Sequence, residues 1–120
     1  MNVDNAKSQM RKGMLEYCIM LLLSQEACYT SDIIAKLKEA NLLVVEGTLY
    51  PLLTRLKNDG LLSYEWQEST QGPPRKYYVL TPEGREILKQ LDAAWSELES
   101  TVHNLKERHT LFLNSTDTAS

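Results

Sequence analysis

Residues 46–60 read EGTLYPLLTRLKNDG, a stretch whose pattern sets the interpretation of everything around it. Leu49, Leu52, Leu53 and Leu56 recur at helical spacing as one narrow apolar stripe, while Pro51, Thr54, Arg55 and Asn58 fall on the opposite face and Tyr50 at its border. The spacing predicts a helix with one side for a core and one side left for a partner. Pro51 is expected in the first turn, where a missing N–H has no bond to lose, with Thr48 as N-cap. Gly60 is expected to close the helix in the left-handed conformation. A short helix showing water a hydroxyl, a phenol, a guanidinium and the Lys57 ammonium is a candidate for the major groove of DNA. The plainer reading is an amphipathic helix with a solvated face.

The residues on either side favour the first reading. Upstream, Tyr29 leads into a second helix, capped by Thr30 or Ser31, with Ile33, Ile34 and Leu37 inward and Lys36 and Lys38 outward. Asn41 ends it and Leu42 to Val45 cross to the central helix, a helix-turn-helix pattern. Downstream the apolar period switches to two. Leu62, Tyr64 and Trp66 alternate with Ser63, Glu65 and Gln67, and Lys76, Tyr78 and Leu80 with Arg75, Tyr77 and Val79, separated by the turn formers STQGPP. A β-hairpin is predicted, with Gly72, Pro73, Pro74, Arg75 and Lys76 at its tip and returning strand. Helix-turn-helix followed by a hairpin is a winged helix, and the wing supplies a second phosphate or minor-groove contact.

The ends of the chain carry the remaining apolar pattern. Residues 1–8 are polar and expected to fray. From Gln9 to Ser24 the sequence becomes apolar on every side between Tyr17 and Leu23, which predicts a helix covered on more than one side, the second cover coming from another copy of the chain. Thr81-Pro82-Glu83 predicts the start of a last helix. On it Leu88, Leu91, Trp95, Leu98, Val102 and Leu105 are spaced 3, 4, 3, 4, 3, the seam of a helix that pairs outside its own domain. Residues 110–120, with the Leu111-Phe112-Leu113 cluster, are read as a tail. The fold class is therefore mainly α with a small β-hairpin: a winged helix-turn-helix over 9–81 and a long C-terminal dimerisation helix over 82–109.

With 120 residues, 24% charged and 42% hydrophobic, the chain has the make-up of a globular protein with one modest core. No apolar run reaches the length of a membrane span, and the N-terminus has no secretion signal, so no membrane contact and a cytoplasmic location are expected. Cys18 and Cys28 read as two reduced thiols, and the glycosylation match Asn114-Ser115-Thr116 carries no meaning without secretion. The net charge of −3 is unevenly placed. Residues 1–81 hold nine Lys/Arg and nine Asp/Glu, whereas residues 82–120 hold four and seven. A neutral body with its cations gathered at a few points can bind phosphate, through few contacts.

The segments GTLYPLLTRLKNDGLL and GPPRKYYVLTPEG, together with the N-terminal apolar helix, resemble the PadR-like transcriptional regulators over residues 9–109. The resemblance implies a winged helix, a homodimer made by swapping the C-terminal helix against the partner's N-terminal helix, and repression at inverted-repeat operators in double-stranded DNA. A single C-terminal helix resembles the small subclass, in whose multidrug-sensing members a tryptophan faces its symmetry mate across a flat pore for planar aromatic compounds. Trp95 stands at the matching place, with Leu91, Leu15 and Cys18 as further lining; Leu15 replaces a polar residue of those members, and Thr30 replaces the usual glycine after the tyrosine. Carried over residue by residue, the DNA-facing set is Thr48, Tyr50, Pro51 and Arg55 on the central helix, Tyr29 and Thr30 on the second, and Gly72, Pro73, Pro74, Arg75, Lys76 and Tyr77 on the wing. Arg55 is expected to clamp a phosphate rather than read a base.

No catalytic constellation emerges. His103 and His109 are six apart, too far round a helix to share a metal, and there is no glycine-rich phosphate loop or nucleophile elbow. No cofactor, metal or enzymatic activity is expected. The competing reading is a winged helix used for protein contact without DNA.

Overall fold

A computed structural model of the chain, describing the backbone of residues 1–119 and the side chains of residues 1–108, forms the central helix as α3, Glu46–Asn58. Leu49, Leu53 and Leu56 are buried and Leu52 is half-buried. The helix starts earlier than the proline suggested. Val45 is the N-cap, so Thr48 is the third helical residue instead of the cap, and Pro51 lies inside the helix. The N–H groups of Thr48 and Leu49 both reach the Val45 carbonyl at 3.0 Å, closing the first turn before the proline is met. Pro51 then deprives only the Gly47 carbonyl of its bond, and both residues are exposed, so water can replace it. At the other end Gly60 has φ +80°, its N–H bonds Lys57 O at 3.0 Å and that of Leu61 bonds Leu56 O at 2.9 Å. This paired closure satisfies two of the last carbonyls.

Helix α2, Thr30–Glu39, is preceded by the two-residue strand β1, Cys28–Tyr29. Its N-cap is Tyr29 rather than Thr30 or Ser31, because strand pairing holds Tyr29 extended up to the first helical residue. The Asp32 carboxylate accepts from the Tyr29 N–H at 3.1 Å. Asn41, at φ +65°, ends α2 with the same closure as Gly60: its N–H bonds Lys38 O at 2.9 Å and that of Leu42 bonds Leu37 O at 2.8 Å. Asparagine is one of the few residues that visit this conformation at low cost.

Helix α1, Val3–Gln25, begins nearer the terminus than expected. The Asn2 side chain accepts from the Asn5 N–H at 3.2 Å, so the residues read as frayed are helical. Leu15, Ile19, Met20 and Leu23 are buried, and Met14, Cys18, Leu21 and Leu22 are half-buried on other sides.

The hairpin forms as β2, Leu62–Ser69, and β3, Gly72–Leu80, with Leu62 opposite Leu80, Tyr64 opposite Tyr78 and Trp66 opposite Lys76. The turn is shorter than STQGPP: Pro73 and Pro74 belong to β3, at the ladder irregularity between Gln67 and Ser69, where a missing N–H is tolerated. Strand β1 pairs with β3, giving an antiparallel sheet in the order β1-β3-β2 instead of a lone hairpin. The core lies between the sheet and the helices, with Ile33 and Leu37 of α2 joining Leu62, Tyr78 and Leu80.

Helix α4, Pro82–Ala119, starts as predicted at Thr81, whose Oγ1 accepts from the Gly84 N–H at 2.9 Å. The same hydroxyl lies 2.7 Å from the Gly60 carbonyl oxygen and 3.0 Å from that of Leu61. Gly84 is packed so closely that a Cβ would run into the Leu61 carbonyl oxygen and the Leu80 side chain. Residues 110–119, read as a tail, continue the helical backbone, since neither glycine nor proline occurs between Gly84 and Ala119. The Leu111-Phe112-Leu113 side chains lie outside the described residues, as does Ser120.

The chain divides into two compact units, Met1–Leu88 and Lys89–Ser120. The first holds the winged helix, and Leu88, the first residue of the expected seam, is buried there. In the second, Leu91 is half-buried, while Trp95, Leu98, Val102 and Leu105 are 39%, 59%, 48% and 57% exposed. Among the described residues no helix is long and apolar enough to cross a membrane.

Candidate nucleic-acid interface

The start of α2, the start of α3 and the wing meet around an open cleft of about 350 Å³ in the first unit. Its lining brings together Tyr29, Thr30, Tyr50, Pro74, Arg75 and Lys76 of the expected DNA-facing set, and adds Ser31, Glu46 and Trp66. Each is placed by a local device already described: Tyr29 by strand pairing, Tyr50 by the outer face of α3, and the cations by the register of β3.

The wing cations are held rather than loose. The Arg75 guanidinium carbon sits 3.8 Å from the centre of the Tyr29 ring, and Nη2 donates to Ser31 Oγ at 2.6 Å. Tyr29 in turn packs on Tyr77 with ring centroids 4.8 Å apart and donates its hydroxyl to Gln67 Oε1. Lys76 Nζ lies 4.6 Å from the Tyr64 ring centre and 5.4 Å from that of Trp66. Cation–ring contacts of this kind orient a charge without neutralising it. Behind the cleft, burial, reinforced by Tyr64 and then Tyr50, pushes the Tyr78 phenol above its ordinary range.

The other expected residues lie elsewhere. Arg55 lies outside the lining of the cleft and forms an ion pair with Glu16 of α1. Thr48 lines a second groove with Ser8, Arg11, Lys12 and Leu15. Gly72 and Pro73 are exposed at the start of β3, Pro51 is exposed on α3, and Tyr77 serves Tyr29. Of the expected effector-lining residues in the first unit, Leu15 is buried and Cys18 lines an open apolar groove of about 450 Å³ with Met10, Met14, Leu21 and Leu22. Burial raises the thiols of Cys18 and Cys28, the latter further beside Asp32, which keeps both protonated and poorly reactive. In the second unit His103 Nε2 lies 3.1 Å from Glu107 Oε1, and the His109 side chain is outside the described residues.

Sequence reasoning missed Ser31, Glu46 and Trp66. The signal for Trp66 was available: it falls opposite Lys76 once the two strands are aligned, beyond the last pair that a core of this size can cover.

Three helices and a three-stranded sheet with a projecting hairpin define a winged-helix protein of the DNA-binding type. Residues 19–90 match the family model described as the transcriptional regulator PadR-like family, and the chain belongs to that family of DNA-binding regulators. It is similar to a PadR-like transcription factor from Bacteroides fragilis solved by X-ray methods, at 73% identity and TM-score 0.73, covering 84% of this chain and 98% of that one. A PadR family regulator from Eggerthella lenta is similar at 36% identity and TM-score 0.75, over 86% of this chain and 90% of that one. The transcriptional regulator Rv3488 of Mycobacterium tuberculosis is 46% identical over 59 residues, 49% of this chain and 54% of its own length. These relatives are regulators, not enzymes.

Proposed function

We propose that this transcriptional regulator is a homodimeric repressor of the small PadR subclass, binding an inverted-repeat operator and released from it by a planar aromatic or hydrophobic small molecule. The observation that carries the reading is the uncovered seam of α4. Four large apolar side chains at 3-4 spacing facing water are costly, at roughly 25 cal/mol per Å², and a second copy of the chain removes that cost. The open groove beside Cys18 is a second uncovered apolar surface in the first unit.

In this reading the two copies hold their clefts at a fixed separation, and half-sites follow at about one helical turn, 34 to 36 Å apart. Tyr29, Thr30, Thr48, Tyr50, Pro51, Arg55 and residues Gly72 to Tyr77 face the duplex, with Lys76 on a phosphate and Arg55 exchanging Glu16 for one. Leu88, Leu91, Trp95, Leu98, Val102 and Leu105 make the dimer, and Trp95 with Leu91, Leu15 and Cys18 takes the effector. Release follows only where the effector favours a spacing that misfits the operator, since equal affinity for both spacings shifts nothing.

The test is a mobility shift with the DNA immediately upstream of its own gene, with and without planar aromatic compounds, alongside sedimentation of the free protein. A shift relieved by such a compound, from a dimer, supports the reading. A monomer, or no shift at low salt, leaves instead a winged helix that contacts protein. Absence of tryptophan quenching by planar aromatics, judged against Trp95→Phe because Trp66 also emits, would remove the effector site alone.

A further inference from the structure

One face of the hairpin carries Leu62, Tyr64 and Trp66 on β2 opposite Leu80, Tyr78 and Lys76 on β3. The first two pairs are core: Leu62, Leu80 and Tyr78 are buried and Tyr64 is half-buried. The third pair overshoots the core, leaving Trp66 61% exposed. A strand that leaves the protein body has no packing reason to remain aromatic, and the reverse face of β2 does turn polar, at Ser63, Glu65 and Gln67. The indole is nevertheless fixed, edge-on to Tyr64 at a centroid distance of 5.9 Å and 86° between planes, with the Lys76 ammonium beside it. Trp66 lines the cleft together with Thr30, Ser31, Glu46 and Tyr50.

An apolar plate next to an ammonium matches the repeat of a nucleic-acid strand, in which an apolar sugar face alternates with a phosphate. A docking protein would use the plate but has no need of an ammonium ordered beside it. We infer that Trp66 is a DNA-contact residue that packs on a deoxyribose while Lys76 takes the adjacent phosphate. Trp66 thus adds an apolar, salt-independent part to the grip of the wing. The inference rests on the DNA-binding reading above.

The experiment measures anisotropy titrations of the full chain against two labelled duplexes, the upstream DNA and a scrambled one, over a range of salt. Trp66→Ala is expected to weaken binding to both by roughly tenfold with the salt slope unchanged, and Trp66→Phe to recover most of the loss. Lys76→Ala is expected to lower the slope by about one. A slope that falls equally in Trp66→Ala would make the indole a mere support for Lys76 and overturn the inference, as would unchanged affinity. Independently, in protein carrying 5-fluorotryptophan, the fluorine resonance that disappears in Trp66→Phe should move on addition of DNA; a stationary resonance overturns the contact. Wild-type protein that binds while Trp66→Ala binds equally well defeats this inference alone, whereas wild-type protein that binds neither duplex defeats the DNA-binding reading with it.

Discussion

Leu49, Leu53 and Leu56 in the first unit and Trp95, Leu98 and Val102 in the second follow the same helical spacing, yet the first three are buried and the second three are 39–59% exposed. Amphipathic pattern alone therefore does not say what covers a stripe. In the first unit, left-handed closures at Asn41 and Gly60 end α2 and α3 and begin the short connections to the next element. In the second, a helix without turn residues presents its stripe to water, and isolated helices are marginal unless tertiary or quaternary packing covers them.

The contrast can be broken by substitutions. Leu53→Ala should cost about 2–5 kcal/mol in urea unfolding, because the side chain is completely buried; a loss under about 1 kcal/mol would mean the first unit is no better covered than the second. Gly84→Ala should cost about 1–3 kcal/mol through its clash with Leu61 and Leu80. Gly13→Ala on α1, where an added Cβ meets nothing within 4 Å, should stabilise by about 0.5–1 kcal/mol. Equal thermal shifts in the two variants would show that Gly84 is not tightly packed.

A third test uses pH. The folded chain raises the Tyr78 phenol and the Cys28 thiol, each mainly by burial, so their contributions are complete below the ordinary values of these groups and are lost as pH rises through the folded ones. Urea midpoints should therefore fall above roughly pH 9 to 10, with the loss reduced in Tyr78→Phe. The smallest effect is expected in the second unit. Leu98→Ala should change the unfolding of the winged helix by less than about 0.5 kcal/mol, while sedimentation at dilution shows dissociation at higher protein concentration than wild type. A large loss of winged-helix stability in Leu98→Ala would erase the distinction between the regions.

The elements legible in the sequence are those set by local period and local caps: the α3 stripe, the alternation of the hairpin, Gly60, Asn41, and Thr81 with Pro82. What could not be read depends on partners distant in the chain. Strand β1 is too short to show a period, and only its pairing with Tyr77 and Tyr78 makes Tyr29 an N-cap. The start of α3 is not legible from Pro51, because the bonds to Val45 close the first turn before the proline is reached. Six of the twelve DNA-facing candidates do line one cleft, but Arg55 pairs with Glu16, a choice no spacing rule could reveal.

The docking of Arg75 between the Tyr29 ring and Ser31 also has a thermodynamic side. A long side chain free in solvent loses rotamer entropy when it engages a ligand, on the order of 0.5–1.5 kcal/mol. Here that ordering occurs during folding, so a partner meets a guanidinium already immobilised. Lysine at this position keeps the charge but cannot lie flat on the ring and donate sideways at once, and Arg75→Lys would shift the ordering penalty from folding to complex formation.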